Sequence, residues 1–101
     1  LAFDRAYSAR HVPGQKAEAL FWAGRSLESA NDYTGALDRY RALASLYPDN
    51  YWAPESLYRT VLLERQVQNE AGADKAFQQL SQDFPENAWA QKALKMSGAQ
   101  P

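Results

Sequence analysis

Apolar residues recur along the chain at the three- and four-residue steps of an α-helix. The two clearest stripes are Ala36, Tyr40, Leu43 and Tyr47, then Ala73, Phe77, Leu80 and Phe84. Because residues three or four apart share one face of a helix, each stripe predicts an amphipathic helix. The chain has no alternating apolar and polar run of strand length. The pattern therefore predicts an all-α fold.

Polar residues and prolines separate these stripes and set the predicted helix ends. Asp32 or Thr34 is expected to cap a helix, and Pro48 and Pro85 should each end one. Pro54 fits the first turn of the next helix, where its missing N–H costs little. The resulting prediction is six helices, at about residues 2–10, 15–30, 34–46, 51–68, 72–83 and 87–97.

An internal repeat organises the chain, because two segments align without a gap at an offset of 37 residues. The residues identical in both are Gly35, Ala36, Leu43, Pro48, Asn50, Trp52, Ala53 and Leu57, which recur as Gly72, Ala73, Leu80, Pro85, Asn87, Trp89, Ala90 and Leu94. One further period back, Leu57 falls on Leu20. Repeated helical hairpins bury their open faces by stacking, so the repeat predicts an α-solenoid of about two and a half units.

We interpret the chain as one helical domain at residues 1–96, followed by a flexible tail at 97–101. The repeat units lie at about residues 15–48 and 49–85, with partial units at 1–14 and 86–96. The chain starts without Met, and we expect it to be a piece of a longer protein.

Composition narrows the classes of function. The chain has 101 residues, a formal net charge of −1 and no cysteine. Near-neutral charge disfavours a nucleic-acid binder, and no apolar run is long enough to predict a transmembrane segment. Without cysteine there can be no disulfide, thiolate nucleophile or cysteine zinc site.

The residues also argue against catalysis. His11, the one histidine, stands beside Val12-Pro13-Gly14 in a predicted surface turn, and no second histidine accompanies it. Glycine-rich phosphate loops and nucleophile motifs are missing from the sequence. We therefore predict that the protein is not an enzyme and uses no metal or cofactor.

The first unit resembles the tetratricopeptide repeat, a 34-residue pair of helices with a small set of preferred positions. The matching residues are Leu20, Ala23, Gly24, Leu27, Ala36, Tyr40, Leu43 and Pro48. The second unit departs from the pattern, with Val61 at a small-residue position and Glu64 at an apolar one. These departures predict either a looser second hairpin or one shaped by an unusual neighbour. The surplus over 34 residues lies between Pro48 and Leu57.

The segments Tyr47–Ala53 and Phe84–Ala90 are similar to the longer repeats of bacterial envelope proteins. One such group comprises periplasmic or lipid-anchored scaffolds, among them Tol-Pal-associated and outer-membrane assembly lipoproteins. The resemblance implies a scaffold for polypeptides in the periplasm or cell envelope, with the cytoplasm still open. Two alternatives stay open: the helical superstructure of a soluble lytic transglycosylase, and a homo-oligomerisation module that associates through its solenoid ends.

In the resembled family, peptides lie in a concave groove lined by the first helix of each repeat. Register places on this face Glu18, Phe21, Arg25, Glu28, Glu55, Tyr58, Leu62, Arg65, Lys92 and Lys95. The predicted partner-binding residues among them are Phe21, Arg25, Tyr58, Leu62 and Arg65. Phe21 and Tyr58 are either exposed in the groove or buried between hairpins. Trp52 and Trp89, in equivalent positions after the prolines, are expected to join one hairpin to the next.

Overall fold

A computed structural model describes residues 13–97, which form five α-helices joined by short turns. The helices are α1 (Pro13–Ser29), α2 (Tyr33–Leu46), α3 (Ala53–Gln66), α4 (Glu70–Asp83) and α5 (Ala88–Ser97). The described residues contain no strand, so the all-α prediction is confirmed. The predicted helix at 2–10, His11 and residues 98–101 lie outside the described part.

The helices pack as consecutive hairpins. Helix α1 pairs with α2 and α3 pairs with α4, while α3 also packs on α2 and α5 packs on α3 and α4. This order is that of an α-solenoid of about two and a half repeats. We call α1, α3 and α5 the first helices, and α2 and α4 the second helices.

The turns between first and second helices repeat their capping chemistry one period apart. Asp32 caps α2, and its carboxylate accepts a hydrogen bond from the Gly35 backbone N–H at 3.0 Å. Asn69 caps α4 in the same way and accepts from the Gly72 N–H at 3.1 Å. Each cap satisfies a backbone donor that the first turn of a helix leaves unpaired. The predicted cap at Asp32 is confirmed.

The turns that follow the prolines also match. The amide oxygen of Asn50 accepts from the Trp52 backbone N–H at 2.8 Å, and Asn87 makes the equivalent bond to Trp89 at the same distance. Pro54 stands in the first turn of α3, as predicted. These turns fix both tryptophans at the start of a first helix.

The two hairpins differ at the point where their helices approach most closely. In the first, a Cβ added to Gly24 would lie 2.6 Å from Cε1 of Tyr40, whose side chain is fully buried. Only glycine therefore lets α2 bring this ring so close to α1. In the second, Val61 replaces Gly24, and Phe77, the counterpart of Tyr40, is half-buried. The ring of the second hairpin is therefore less deeply buried than that of Tyr40.

The core follows the predicted stripes. Leu43 and Leu80, one period apart, have no exposed surface, and Ala36 and Ala73 are also fully buried. Within residues 13–97, no helix has the length and apolar character needed to cross a membrane.

Candidate binding surface

Two aromatic pairs join successive repeats. The rings of Phe21 and Trp52 are stacked with their centroids 4.3 Å apart, and those of Tyr58 and Trp89 lie 5.0 Å apart at 44°. The second pair stands one period after the first. Each pair connects the middle of one first helix to the start of the next. The predicted role of both tryptophans in joining hairpins is confirmed.

The same pairs bury two of the predicted partner-binding residues. Phe21 is 1% exposed and Tyr58 is 6% exposed. Of the two alternatives for these rings, the structure shows burial between hairpins, because the lengthened turn after each proline brings a tryptophan over them; as groove-exposed contacts for a partner, Phe21 and Tyr58 are therefore corrected. Tyr58 is held further by its hydroxyl, which donates to Sδ of Met96 at 3.2 Å, and by Nζ of Lys92, 5.6 Å from its ring centroid.

The other three predicted residues, Arg25, Leu62 and Arg65, are half-buried and keep part of their side chains at the surface. Within residues 13–97, neither arginine forms an ion pair. Leu62 lines a shallow cavity of about 370 Å³ at the carboxyl ends of α1 and α3, together with Glu28 and Tyr33. The structure therefore keeps these three residues as candidates for contact with a partner.

A polar network couples the first hairpin to α3. The Tyr40 hydroxyl donates to Oε1 of Glu28 at 2.8 Å, and Nη1 of Arg59 lies 3.5 Å from the other Glu28 oxygen. Nε of Arg59 also donates to Glu55 at 3.0 Å. Burial raises the pKa of Tyr40 above its ordinary value of 10, and the hydrogen bond to Glu28 raises this pKa further. Glu28 and Glu55, which register places in the groove, are thus already engaged by side chains of the chain itself.

A buried carboxylate forms a second network between the repeats. Glu64 is 1% exposed; it forms an ion pair with Arg41 of α2, and its Oε1 accepts from the amide of Asn69 at 3.0 Å. Glu64 stands where the first unit has Leu27, and the sequence marked it as a departure from the repeat. Its partner Arg41 belongs to the preceding unit and carried no signal in the sequence.

Charge is distributed unevenly over the described helices. The charged residues of the first helices are Lys16, Glu18, Arg25, Glu28, Glu55, Arg59, Glu64, Arg65, Lys92 and Lys95. Those of the second helices and the turns are Asp32, Asp38, Arg39, Arg41, Asp49, Glu70, Asp74, Lys75, Asp83 and Glu86. Glu18 is the one carboxylate of the first helices without an ion pair or hydrogen bond among residues 13–97. In the first list Lys and Arg outnumber Glu, so the first helices are net positive. In the second list Asp and Glu outnumber Lys and Arg, so the rest of the described chain is net negative.

Two further aromatic rings lie at the surface of the first junction. Trp22 is 49% exposed and Tyr51 is 81% exposed, and they flank Trp52 with centroid distances of 5.8 Å and 5.1 Å. One period later, Arg59 and Ala88 take their places, so this exposed aromatic group does not repeat.

Among the described residues, no three His, Cys, Asp or Glu side chains come together in a way that could hold a metal ion.

Comparison with known proteins identifies the repeat itself. A family model described as tetratricopeptide repeat matches residues 18–50 and again residues 55–87, one period later. No curated protein matches the chain.

Proposed function

Because the chain belongs to the tetratricopeptide-repeat family, we propose that it is a non-catalytic scaffold that binds a polypeptide partner along its first helices. Repeats of this family generally mediate contacts between proteins. Each first helix here is held in register with the next by a buried aromatic pair. A surface that spans α1, α3 and α5 is therefore rigid enough to receive an extended segment.

The proposal rests on two half-buried arginines, Arg25 on α1 and Arg65 on α3, that form no ion pair within the described residues 13–97. A guanidinium offers several donors in a fixed plane and can bind a carboxylate through two of them. Leu62 lies one turn before Arg65 and adds apolar surface on the same side of α3. Arginine beside apolar surface is typical of residues that dominate protein interfaces.

The charge distribution indicates what kind of segment fits. Lys92 and Lys95 extend the positive charge of Arg25 and Arg65 onto α5, although the whole chain has a net charge of −1. Complementary charge guides encounter and rejects partners of the wrong sign. The partner segment should therefore be acidic.

Selection from a library of random twelve-residue peptides displayed on phage would test this proposal with the chain as bait. We expect enriched peptides rich in Asp and Glu. Calorimetry should then show that the double variant Arg25→Gln, Arg65→Gln weakens their binding by about 1–3 kcal/mol. Both side chains are partly exposed and have no ion pair in the described part of the chain, so the melting temperature should stay within about 2 °C of that of the parent chain.

Arg39→Gln is the matched control, because Arg39 is exposed on a second helix and forms no ion pair among residues 13–97. It removes one charge from outside the proposed surface and should leave binding unchanged. If the double variant binds the selected peptides as tightly as the parent chain, the first helices do not form the binding surface. Failure to enrich any peptide would count against peptide binding altogether.

We further propose that the protein acts in the bacterial periplasm or cell envelope, supported by the similarity of Tyr47–Ala53 and Phe84–Ala90 to repeats of envelope proteins. Cell fractionation of the source organism tests this location. Sedimentation equilibrium of the purified chain tests the alternative of homo-oligomerisation, since the scaffold proposal predicts a monomer at micromolar concentration. A lysozyme-like domain elsewhere in the same polypeptide would instead favour the helical part of a transglycosylase.

A further inference from the structure

The contact between α3 and α5 contains a hydrogen bond that the contact between α1 and α3 lacks. Tyr58 and Trp89 form its aromatic pair. One period before Tyr58 the chain has Phe21, which carries no hydroxyl. The Tyr58 hydroxyl donates to Sδ of Met96 at 3.2 Å. The last described helix is thus joined to α3 through a sulfur atom.

Met96 stands where the preceding repeat has Arg59. Arg59 is held by two carboxylates, Glu28 of α1 and Glu55 of its own helix. The thioether of Met96 is a weak hydrogen-bond acceptor and carries no charge. Unlike an ion pair, it also reacts with oxidants. The second contact between first helices is therefore open to a chemical change that the first is not.

The exposure of the two partners differs. Met96 is the one methionine of the chain and is 40% exposed, so an oxidant can reach its sulfur from solvent. Tyr58, which donates to that sulfur, is 6% exposed. A buried hydroxyl that loses its acceptor, with little water to replace it, destabilises the contact that holds it.

We propose that Met96 is an oxidation site that controls the docking of α5 on α3. Hydrogen peroxide transfers one oxygen atom to the thioether: the O–O bond breaks, an S–O bond forms, and the departing hydroxide takes up the proton of the transferred oxygen. Sulfur is oxidised by two electrons and peroxide is reduced to water. Attack comes from the exposed side of the sulfur, so the new oxygen lies away from the Tyr58 hydroxyl.

The sulfoxide makes an apolar side chain polar, and its sulfur, now partly positive, no longer accepts from Tyr58. α5 then separates from α3 and uncovers the rings of Tyr58 and Trp89. Methionine sulfoxide reductases return Met96 to the thioether, which makes the change reversible. This switch acts on the last described helix, whatever partner the first helices bind.

The test uses the purified chain, treated with hydrogen peroxide until mass spectrometry shows one added oxygen atom that peptide mapping assigns to Met96. Hydrogen exchange of the α5 amides should then be at least about fivefold faster, while α1 and α2 keep their protection. Methionine sulfoxide reductases A and B should restore the original exchange rates. Unchanged or slower exchange in α5 after oxidation would overturn the proposal.

Two variants identify the atoms responsible. Met96→Leu fills a similar volume and cannot be oxidised, so peroxide should leave its α5 exchange unchanged. Tyr58→Phe keeps the ring, and Phe21 shows that this position of the repeat accepts phenylalanine. Oxidation of Tyr58→Phe should speed α5 exchange by less than about twofold, because no hydroxyl loses its acceptor. An acceleration equal to that of the parent chain in either variant would overturn the proposal.

Discussion

The hydroxyl of Tyr40 lies in the core of the first hairpin and donates to the Glu28 carboxylate at 2.8 Å. Ionisation would place a phenolate in a desolvated site beside a negative charge, and the folded state therefore favours the protonated form. Arg59, which also contacts Glu28, lowers the pKa of Tyr40. Burial and the charge of Glu28 have the larger effect, so this pKa is raised.

This raised pKa predicts a loss of stability at high pH. Tyr40 in the unfolded chain releases its proton near pH 10 while the folded protein keeps it, so the free energy of unfolding falls as pH rises above about 10. The contribution is present in full below that pH. Urea unfolding from pH 8 to 11 should show a steeper decline for the parent chain than for Tyr40→Phe, by up to about 1.4 kcal/mol per pH unit.

Absorbance at 295 nm provides an independent check, because it reports tyrosine ionisation. The parent chain should show a component of tyrosine ionisation that coincides with unfolding, and Tyr40→Phe should lack that component. Identical pH dependence of unfolding in the two proteins would show that Tyr40 does not titrate abnormally.

At the scale of single elements, the Arg41–Glu64 pair shows how one substitution in a repeat changes the contact between helices. Leu27 fills its position in the first unit with an apolar side chain, whereas Glu64 must be compensated in the second. Removing the partner of a buried charge lowers the free energy of unfolding, whereas replacing the whole pair with apolar groups can leave it unchanged. Arg41→Ala should therefore lower the free energy of unfolding by about 2–4 kcal/mol, less than for a fully buried pair because Arg41 is half exposed.

The double variant Arg41→Leu, Glu64→Leu should recover most of that loss and unfold within about 1 kcal/mol of the parent chain in urea. Arg39→Ala, on the same helix, should change the free energy of unfolding by less than about 0.5 kcal/mol. If Arg41→Ala is as mild as Arg39→Ala, solvent rather than Arg41 compensates Glu64.

At the scale of the whole molecule, the repeats are coupled through the aromatic pairs. In a solenoid each unit contacts its neighbours, so stability depends on the interface between units as well as on each unit. Trp52 packs against Phe21 and Trp22 and thus connects the two hairpins. Trp89 makes the equivalent connection between α3 and α5.

Trp52→Ala should lower the free energy of unfolding by about 2–4 kcal/mol, somewhat below the value for a fully buried tryptophan because the ring is half-buried. It should also broaden the urea transition, as the hairpins lose their coupling. Trp89→Ala should instead reduce hydrogen-exchange protection in α5 while leaving α1 and α2 protected.

Tyr51→Ala is the control for both variants, because Tyr51 is 81% exposed and stands next to Trp52 in the sequence. It should shift the free energy of unfolding by less than about 0.5 kcal/mol. A large effect of Tyr51→Ala, or none of Trp52→Ala, would place the coupling elsewhere in the interface.

The sequence by itself predicted the described helices and their hairpin order, and it limited the cap of α2 to Asp32 or Thr34, because helical periodicity, Asx capping and proline act over a few residues. The 37-residue offset also placed both tryptophans at equivalent junctions. Tertiary structure decided what those rings cover. Register put Phe21 and Tyr58 on the groove side, yet each is buried under the tryptophan of the next repeat.

The partner of Glu64 was likewise decided by the fold. Arg41 is 23 residues away in the chain and belongs to another repeat, so no local pattern joins the two. Periodicity predicts which side of a helix is apolar. Whether a residue on that side is exposed to solvent or contacts a neighbour depends on how closely the next hairpin packs. That distance is set by the side chains at the junction, such as Phe21 against Trp52, and it exists only once the hairpins have stacked.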